Sequence, residues 1–347
     1  MKQKILRTMA ILLMCGLLIG TFCACANAKN KKVIATSGEY EIPYEQLRFI
    51  TMTYKIELDA KYGDGNDENG TIWDDAANAE KYRAELEELV WGTMRENYAL
   101  LQACADHGVG RNAFEGKEIK AAVDEKIDEL LGEYPSKKAY KEALKERYTT
   151  ENLFRFYFAL DEMKYLLHGA MQKDGAFITD EAKFEEWLRD GNYAYVQHFM
   201  LTHENEEEKE ANRAILEDAR EKYISGEWNL GDCINQANDD LTNVSPYFLV
   251  RDVHKDAMVD AAVMLQRAGD VSEIVEVDGA LYVFVAIPET ETENPDGTVE
   301  TPLSLKLTQL FSDYQWAIVG DAVEAAKEDL EIELNDYGKS IDLVAMQ

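Results

Sequence analysis

A chain of 347 residues with 46% hydrophobic and 10% aromatic content can fill two cores. Its 67 acidic against 36 basic side chains leave a net charge of −31, which argues against a nucleic-acid partner and against lying flat on an anionic bilayer. The same field favours basic or unfolded, positively charged partners, although solvated helix faces are the ordinary reason for so acidic a composition.

The N-terminus reads as a targeting segment. Lys2, Lys4 and Arg7 precede the apolar run Ile11–Phe22, and Phe22-Cys23-Ala24-Cys25 follows. Small residues before a cysteine are similar to a bacterial lipoprotein cleavage site, which marks residues 1–25 as a lipoprotein-type signal peptide and Cys25 as the lipidated residue. Ala26-Asn27-Ala28 offers an ordinary signal-peptidase site instead. An uncleaved anchor is the third reading, for which the run is short and broken by Gly16 and Gly20. The expected address is extracytoplasmic, lipid-anchored at a bacterial cell membrane or else secreted. Three of the five cysteines lie in this leader, and Cys104 and Cys233 have neither metal-site nor disulfide-framework spacing.

A helical region follows. Val33–Thr36 reads as a short strand, Gly38 as a turn, and Pro43 opens a helix to about Tyr62. The polar run 63–70 lacks the ligand spacing of a calcium loop. One long helix is predicted over Asp75–His107, with Leu86, Val90, Met94, Asn97 and Leu101 in a stripe and Gly108 as its stop. Helices over Glu115–Glu133 and Ser136–Tyr148 come next. Glu151–Lys173 is the most apolar helix, with aromatic residues over more than half its girth. Buried core is the expected fate of that face, and a client-binding surface is the functional alternative. Thr179–Asp190 is a further short helix.

The stretch Tyr193–Ile287 changes character. Tyr195–Leu201 is a strand carrying His198. Glu206–Ser225 is an amphipathic helix, capped by Asn205 with Glu208 three residues on and stopped by Gly226. A helix over Ala257–Arg267 ends at Gly269. The strands Ile274–Val277 and Ala280–Ala286 flank Asp278-Gly279, a two-residue hairpin signal. Residues 289–302 read as a linker. Leu303–Leu307 alternates as a strand does, Asp313–Tyr337 is a final helix stopped by Gly338, and Ser340–Ala345 is a closing strand.

The order strand, helix, short helices, helix, hairpin resembles a parvulin-type peptidyl-prolyl isomerase domain. Gln197-His198-Phe199-Met200-Leu201 is similar to the family's opening strand. Ala261-Ala262-Val263-Met264-Leu265 with Gly269-Asp270-Val271-Ser272 is similar to its later helix and turn. Together with the leader and the helical front half, the pattern is similar to secretion foldases of the PrsA and SurA type. The resemblance implies an α+β protein: a helical domain over 33–190, a parvulin-like domain over 193–288, and a C-terminal part, 303–347, whose helix returns to the N-terminal domain. It also implies site positions. His198 matches the family's first histidine, Asp240 its acidic or thiol position, and Tyr282 stands where a second histidine is usual. Phe248, His254 and Met258 would line the proline slot. The family's Gly-Gly pair is replaced by Val244-Ser245-Pro246-Tyr247, so the scaffold is expected with a degenerate site.

No phosphate loop, Cys-x-x-Cys, His-Glu-x-x-His or Gly-x-Ser-x-Gly is present. No metal or other cofactor is expected, and the five histidines are scattered. The reading is an exported, membrane-anchored folding factor acting on unfolded or newly secreted polypeptides, with isomerase activity weak or lost. The alternative is a non-catalytic surface interaction or scaffold lipoprotein.

Overall fold

In a computed structural model, residues 30–63, 70–240 and 245–347 are described. The leader with Cys25 lies outside them, as does most of the polar run 63–70. The described residues divide into two compact units, one from residues up to 171 with 321–347 and one from residues 172–320. Both helix and sheet are present, as α+β requires.

Unit 1 begins with β1 (Val33–Ser37) and β2 (Tyr40–Pro43), antiparallel about a turn in which Gly38 takes φ +53°. Pro43 directly precedes α1 (Tyr44–Tyr62) and holds its entry extended. The predicted long helix over Asp75–His107 is two helices, α2 (Ala76–Lys81) and α3 (Arg83–Asp106). The break falls at Tyr82, whose ring stacks on Tyr62 at 4.4 Å, a contact that no helical stripe foretells. Asp75 caps α2 through the Ala77 and Asn78 amides, and Gly108, at φ +75°, ends α3 as expected. Then come α4 (Arg111–Phe114), α5 (Lys117–Gly132), α6 (Lys137–Glu146, capped by Ser136) and α7 (Glu151–Asp174). Leu86, Val90, Met94 and Leu101 are fully buried, so the α3 stripe is core. On α7, Leu153, Leu160, Met163, Leu167 and Met171 are buried, while Tyr165 and Leu166 are exposed.

Unit 2 contains α8 (Glu181–Trp187), whose buried Phe184 packs among Trp187, Phe311 and Tyr314. A wide turn at 188–192 leads into β3 (Tyr193–Thr202). Then follow α9 (Glu206–Ser225), α10 (Leu230–Gln236), β4 (Tyr247–Val250), α11 (Asp256–Val263), β5 (Val275–Val277) and β6 (Ala280–Ala286). The four strands form one antiparallel sheet in the order β4-β3-β6-β5. Alternation along the strands gives it two apolar faces. Phe199, Leu281, Val283 and Val285 meet Leu216 and Ala219 of α9 and Cys233 of α10 on one. Val196, Leu249 and Phe284 meet Val259 and Ala262 of α11 on the other. Asp278 and Gly279 both take positive φ, +49° and +78°, as the hairpin signal demanded.

Three readings of the C-terminal third are corrected. Residues 289–302 fold back as a small hairpin, β7 (Thr292–Glu293) with β8 (Val299–Glu300), turned at Gly297 and bound by Asn294 N to Thr298 O at 2.8 Å. Leu303–Leu307 is not a strand. It opens α12 (Pro302–Glu328), where Thr301 Oγ1 accepts from Ser304 N. The alternating leucines fit either period over five residues. The continuation through Leu310 and Tyr314, buried like Leu303 while Leu305 is 65% exposed, fits only the helix.

The third correction concerns the closing segment. α12 stops at Glu328, well before Tyr337. Beyond it, β9 (Glu333–Leu334) pairs with β1, and α13 (Asp336–Lys339) follows. No strand forms over Ser340–Ala345. There the buried Lys55 ammonium donates to Val344 O and Met346 O, both at 2.8 Å, and fixes the segment by its carbonyls rather than by a ladder. Gly338 does not end a long helix. It lies so close to β1 that a Cβ there would sit 2.2 Å from Ile34 O.

Candidate functional site

The candidate site lies on the α11 face of the unit 2 sheet. β3 carries Val196, His198 and Met200 toward this face, and antiparallel pairing puts His198 opposite Phe284 and Met200 opposite Tyr282. β4 covers only the first part of β3, pairing Val196 with Tyr247. Beyond it, residues 238–240 take over that edge. Asn238 Oδ1 accepts from Met200 N at 3.0 Å, Asp239 N donates to Met200 O at 2.8 Å, and the Asp239 carboxylate accepts from the Thr202 amide and hydroxyl. The Asn238 amide closes the bracket on Asp240 O at 2.7 Å. These bonds bring the Asp240 carboxylate to His198, with Oδ2 at 3.7 Å from Nε2.

The other ring nitrogen is engaged as well. His198 Nδ1 and Tyr247 Oη are 2.8 Å apart, with the rings perpendicular at 5.5 Å. Tyr282 stands edge-on at 5.4 Å, and its ring is parallel to that of Phe284, 5.8 Å away. His198 is only 6% exposed. Burial pulls its pKa down to about 4 and outweighs the opposing pull of Asp240, so the imidazole is neutral at neutral pH. Burial also pushes the Tyr247 and Tyr282 phenols up, which keeps both protonated. The face therefore combines a neutral imidazole, a carboxylate and two phenols, with the Tyr282 ring parallel to the buried Phe284 ring.

The structure thus brings His198, Asp240 and Tyr282 together. Met258, on α11, packs against the cluster of Val196, Leu249 and Phe284 on the same face. Phe248 points to the opposite face, where it packs on Tyr193 and Tyr195 at 5.9 and 4.6 Å. A residue next to a site residue in a strand projects away from it, and the residue that reaches His198 is Tyr247. His254 lies in the turn after β4, its Nδ1 accepting from Val250 N at 3.1 Å, with its pKa lowered by burial. That bond makes it a capping group of its own turn. Sequence reasoning missed Tyr247. Pro246 and the aromatic run after it marked a strand, but which of its rings faces His198 follows from pairing with β3. Among the described residues, no three His, Cys, Asp or Glu side chains converge as metal ligands do.

The segment Gly269-Asp270-Val271-Ser272 completes the sheet where β5 is too short. Ser272 N donates to Phe284 O, and Ser272 Oγ accepts from Phe284 N, both at 2.9 Å. This buried serine fixes the strand position from which Phe284 reaches the His198 ring. In unit 1, a groove of about 760 Å³ runs past Gln102, Asp106, Ala322, Ala326, Leu330 and Glu333.

No protein-family model matches the chain, and no curated protein matches it significantly. Among solved structures it is similar to a PrsA peptidylprolyl isomerase of Bacillus anthracis, at 12% identity over 70% of this chain and 100% of that one, with a TM-score of 0.39. It is also similar to the foldase protein PrsA of Streptococcus pneumoniae, at 16% identity over 82% and 97% of the two chains, TM-score 0.30. A third is the foldase protein PrsA of Lactococcus lactis, at 11% identity over 88% and 95%, TM-score 0.29. At such identities and scores no residue of these proteins transfers to a residue of this chain.

Proposed function

We propose that the chain is an extracytoplasmic folding factor that handles extended segments of other polypeptides, with prolyl isomerisation as a weak, residual activity. The observation that carries this is the face built by His198, Asp240, Tyr247 and Tyr282. Turning an X-Pro bond means passing a barrier of roughly 18–20 kcal/mol, set by the resonance of the planar amide. A catalyst must bind the twisted amide better than the planar one. The partly exposed Tyr282 ring, backed by the buried Phe284 ring parallel to it, supplies flat apolar surface for a proline ring. The neutral His198 ring and the Asp240 carboxylate supply polar partners for an amide whose charge has redistributed. Two features support a weak activity. His198 is nearly closed off by its own aromatic neighbours, and one ring nitrogen is already bonded to Tyr247.

Client holding would also draw on exposed apolar helix surface, such as Tyr165 and Leu166, and on the acidic field, which attracts basic unfolded segments. Attachment would run through a lipid on Cys25, and among the described residues no helix is long and apolar enough to cross a membrane. Two assays on the mature chain test the function. One measures acceleration of cis/trans exchange in X-Pro peptides, with His198→Ala as control. The other measures suppression of aggregation of an unfolded basic client. A small acceleration lost in His198→Ala, with suppression retained, is expected. Neither activity would leave a scaffold. For the anchor, Cys25→Ala should release the protein from the membrane fraction, and release by the unaltered chain would rule the lipid out.

A further inference from the structure

The bond between His198 and Tyr247 fixes more than a ring orientation. A neutral imidazole carries its proton on one nitrogen only, and the other accepts. The Tyr247 hydroxyl makes its one bond among the described residues to Nδ1, at 2.8 Å. A phenol that donates there leaves Nδ1 without a proton, so the proton belongs on Nε2. The opposite side of the ring demands the same. Nε2 faces the Asp240 carboxylate oxygen at 3.7 Å, and an ionised carboxylate only accepts. A lone pair on Nε2 would oppose that charge, whereas an N–H complements it. Among the described residues, Tyr282 also meets the ring, edge-on at 5.4 Å, through its aromatic edge.

We infer that Tyr247 is a positioning residue: it holds His198 as the Nε2–H tautomer and so aims the ring's donor toward Asp240 and away from the sheet interior. The purpose of that donor, to meet the carbonyl or nitrogen of a bound X-Pro amide, rests on the folding-factor reading; the tautomer itself does not. The placement is consistent with the strand register. Pairing of Tyr247 with Val196, and of Phe248 with Tyr195, puts Tyr247 rather than Phe248 on the face of His198.

The test is long-range nitrogen–proton NMR on the full chain labelled at histidine nitrogen, near neutral pH. The unaltered protein should show His198 protonated at Nε2. Tyr247→Phe keeps the ring and removes the hydroxyl, and should lower the ratio of Nε2–H to Nδ1–H forms by roughly fivefold, the weight of one neutral hydrogen bond. Asp240→Ala should leave Nε2–H dominant. A purely packing role for Tyr247 would move neither nitrogen signal in Tyr247→Phe. The proposal is overturned by an Nδ1–H form in the unaltered chain, by no change in Tyr247→Phe, or by a switch produced in Asp240→Ala alone. Isomerisation measured on the same samples is read separately. The expected tautomers without isomerisation or client handling would support the positioning role and end the folding-factor reading.

Discussion

His198 makes the stability of unit 2 depend on pH in a way that can be worked out in advance. Its midpoint is about 4 in the folded chain against 6.5 for an ordinary histidine, because burial disfavours the imidazolium more than Asp240 favours it. Above pH 6.5 both folded and unfolded chains hold it neutral, and the full stability is present. As the pH falls from 6.5 toward 4, the unfolded chain takes up a proton that the folded chain refuses, so stability drops. Below about 4 both are protonated and the loss stops. At about 1.4 kcal/mol per pH unit, the whole loss is about 3 kcal/mol. His254, also lowered by burial, adds a loss of the same sign, and so the effect of His198 must be isolated by difference.

The perturbation is His198→Phe, which keeps an aromatic ring against Tyr282 and Phe284. Urea unfolding of both proteins is followed at a series of pH values from 7.5 to 3.5. The unaltered chain should lose about 3 kcal/mol more than the variant across that range. The His198 ring proton in NMR should titrate near 4 in the folded state. Parallel stability curves, or a ring midpoint at or above 6.5, would refute the claim that burial governs this histidine.

Four further outcomes are expected. Asp240→Asn removes the group that raises the His198 midpoint, so the NMR titration should move lower still. Gly338→Ala places a methyl 2.2 Å from Ile34 O and 2.9 Å from Leu334 Cδ2. The C-terminal return must shift off β1, losing bonds such as Asn335 N to Ile34 O and Asn335 Nδ2 to Val33 O, for about 2 kcal/mol in urea unfolding and faster hydrogen exchange at residues 33–37. Phe248→Ala should cost about 3 kcal/mol of stability and leave the His198 titration in place, since Phe248 packs on the far face. Cys104 and Cys233 should resist thiol reagents in the folded chain, because burial raises them to about 12 and about 11, and prompt labelling without denaturant would contradict that.

What could be read in the sequence, and what could not, divides along physical lines. Local signals carried far. Asp278-Gly279 announced its turn because only a few residues tolerate two positive φ values in succession, and Asn205 announced its cap because its side chain must meet the Glu208 amide. The stripe Leu86, Val90, Met94 and Leu101 predicted a buried face and is one. The failures share a cause. Tyr82 breaks a helix by stacking on Tyr62, twenty residues away, and five alternating residues at 303–307 obey two periods equally well until Leu310 and Tyr314 decide between them.

The site shows the same division within a single strand. That His198 and Phe199 face opposite sides of the sheet follows from the strand alone; which neighbours meet each does not. Tyr247 and Phe248 differ by one residue, and that difference turns a side chain from one face of a sheet to the other. The register is set by the bond pattern between β3 and β4, which pairs Val196 with Tyr247, and no property of the residues 246–248 taken alone contains it. A count along the chain can therefore be off by one at a strand even when the fold behind it is right, and at this site one residue separates a partner of His198 from a core side chain. The NMR test on Tyr247→Phe and the stability test on Phe248→Ala probe the two sides of that distinction directly. If their outcomes were exchanged, with Phe248→Ala changing the His198 ring and Tyr247→Phe leaving it unchanged, the register itself would be shifted by one residue, and every assignment on this face would shift with it.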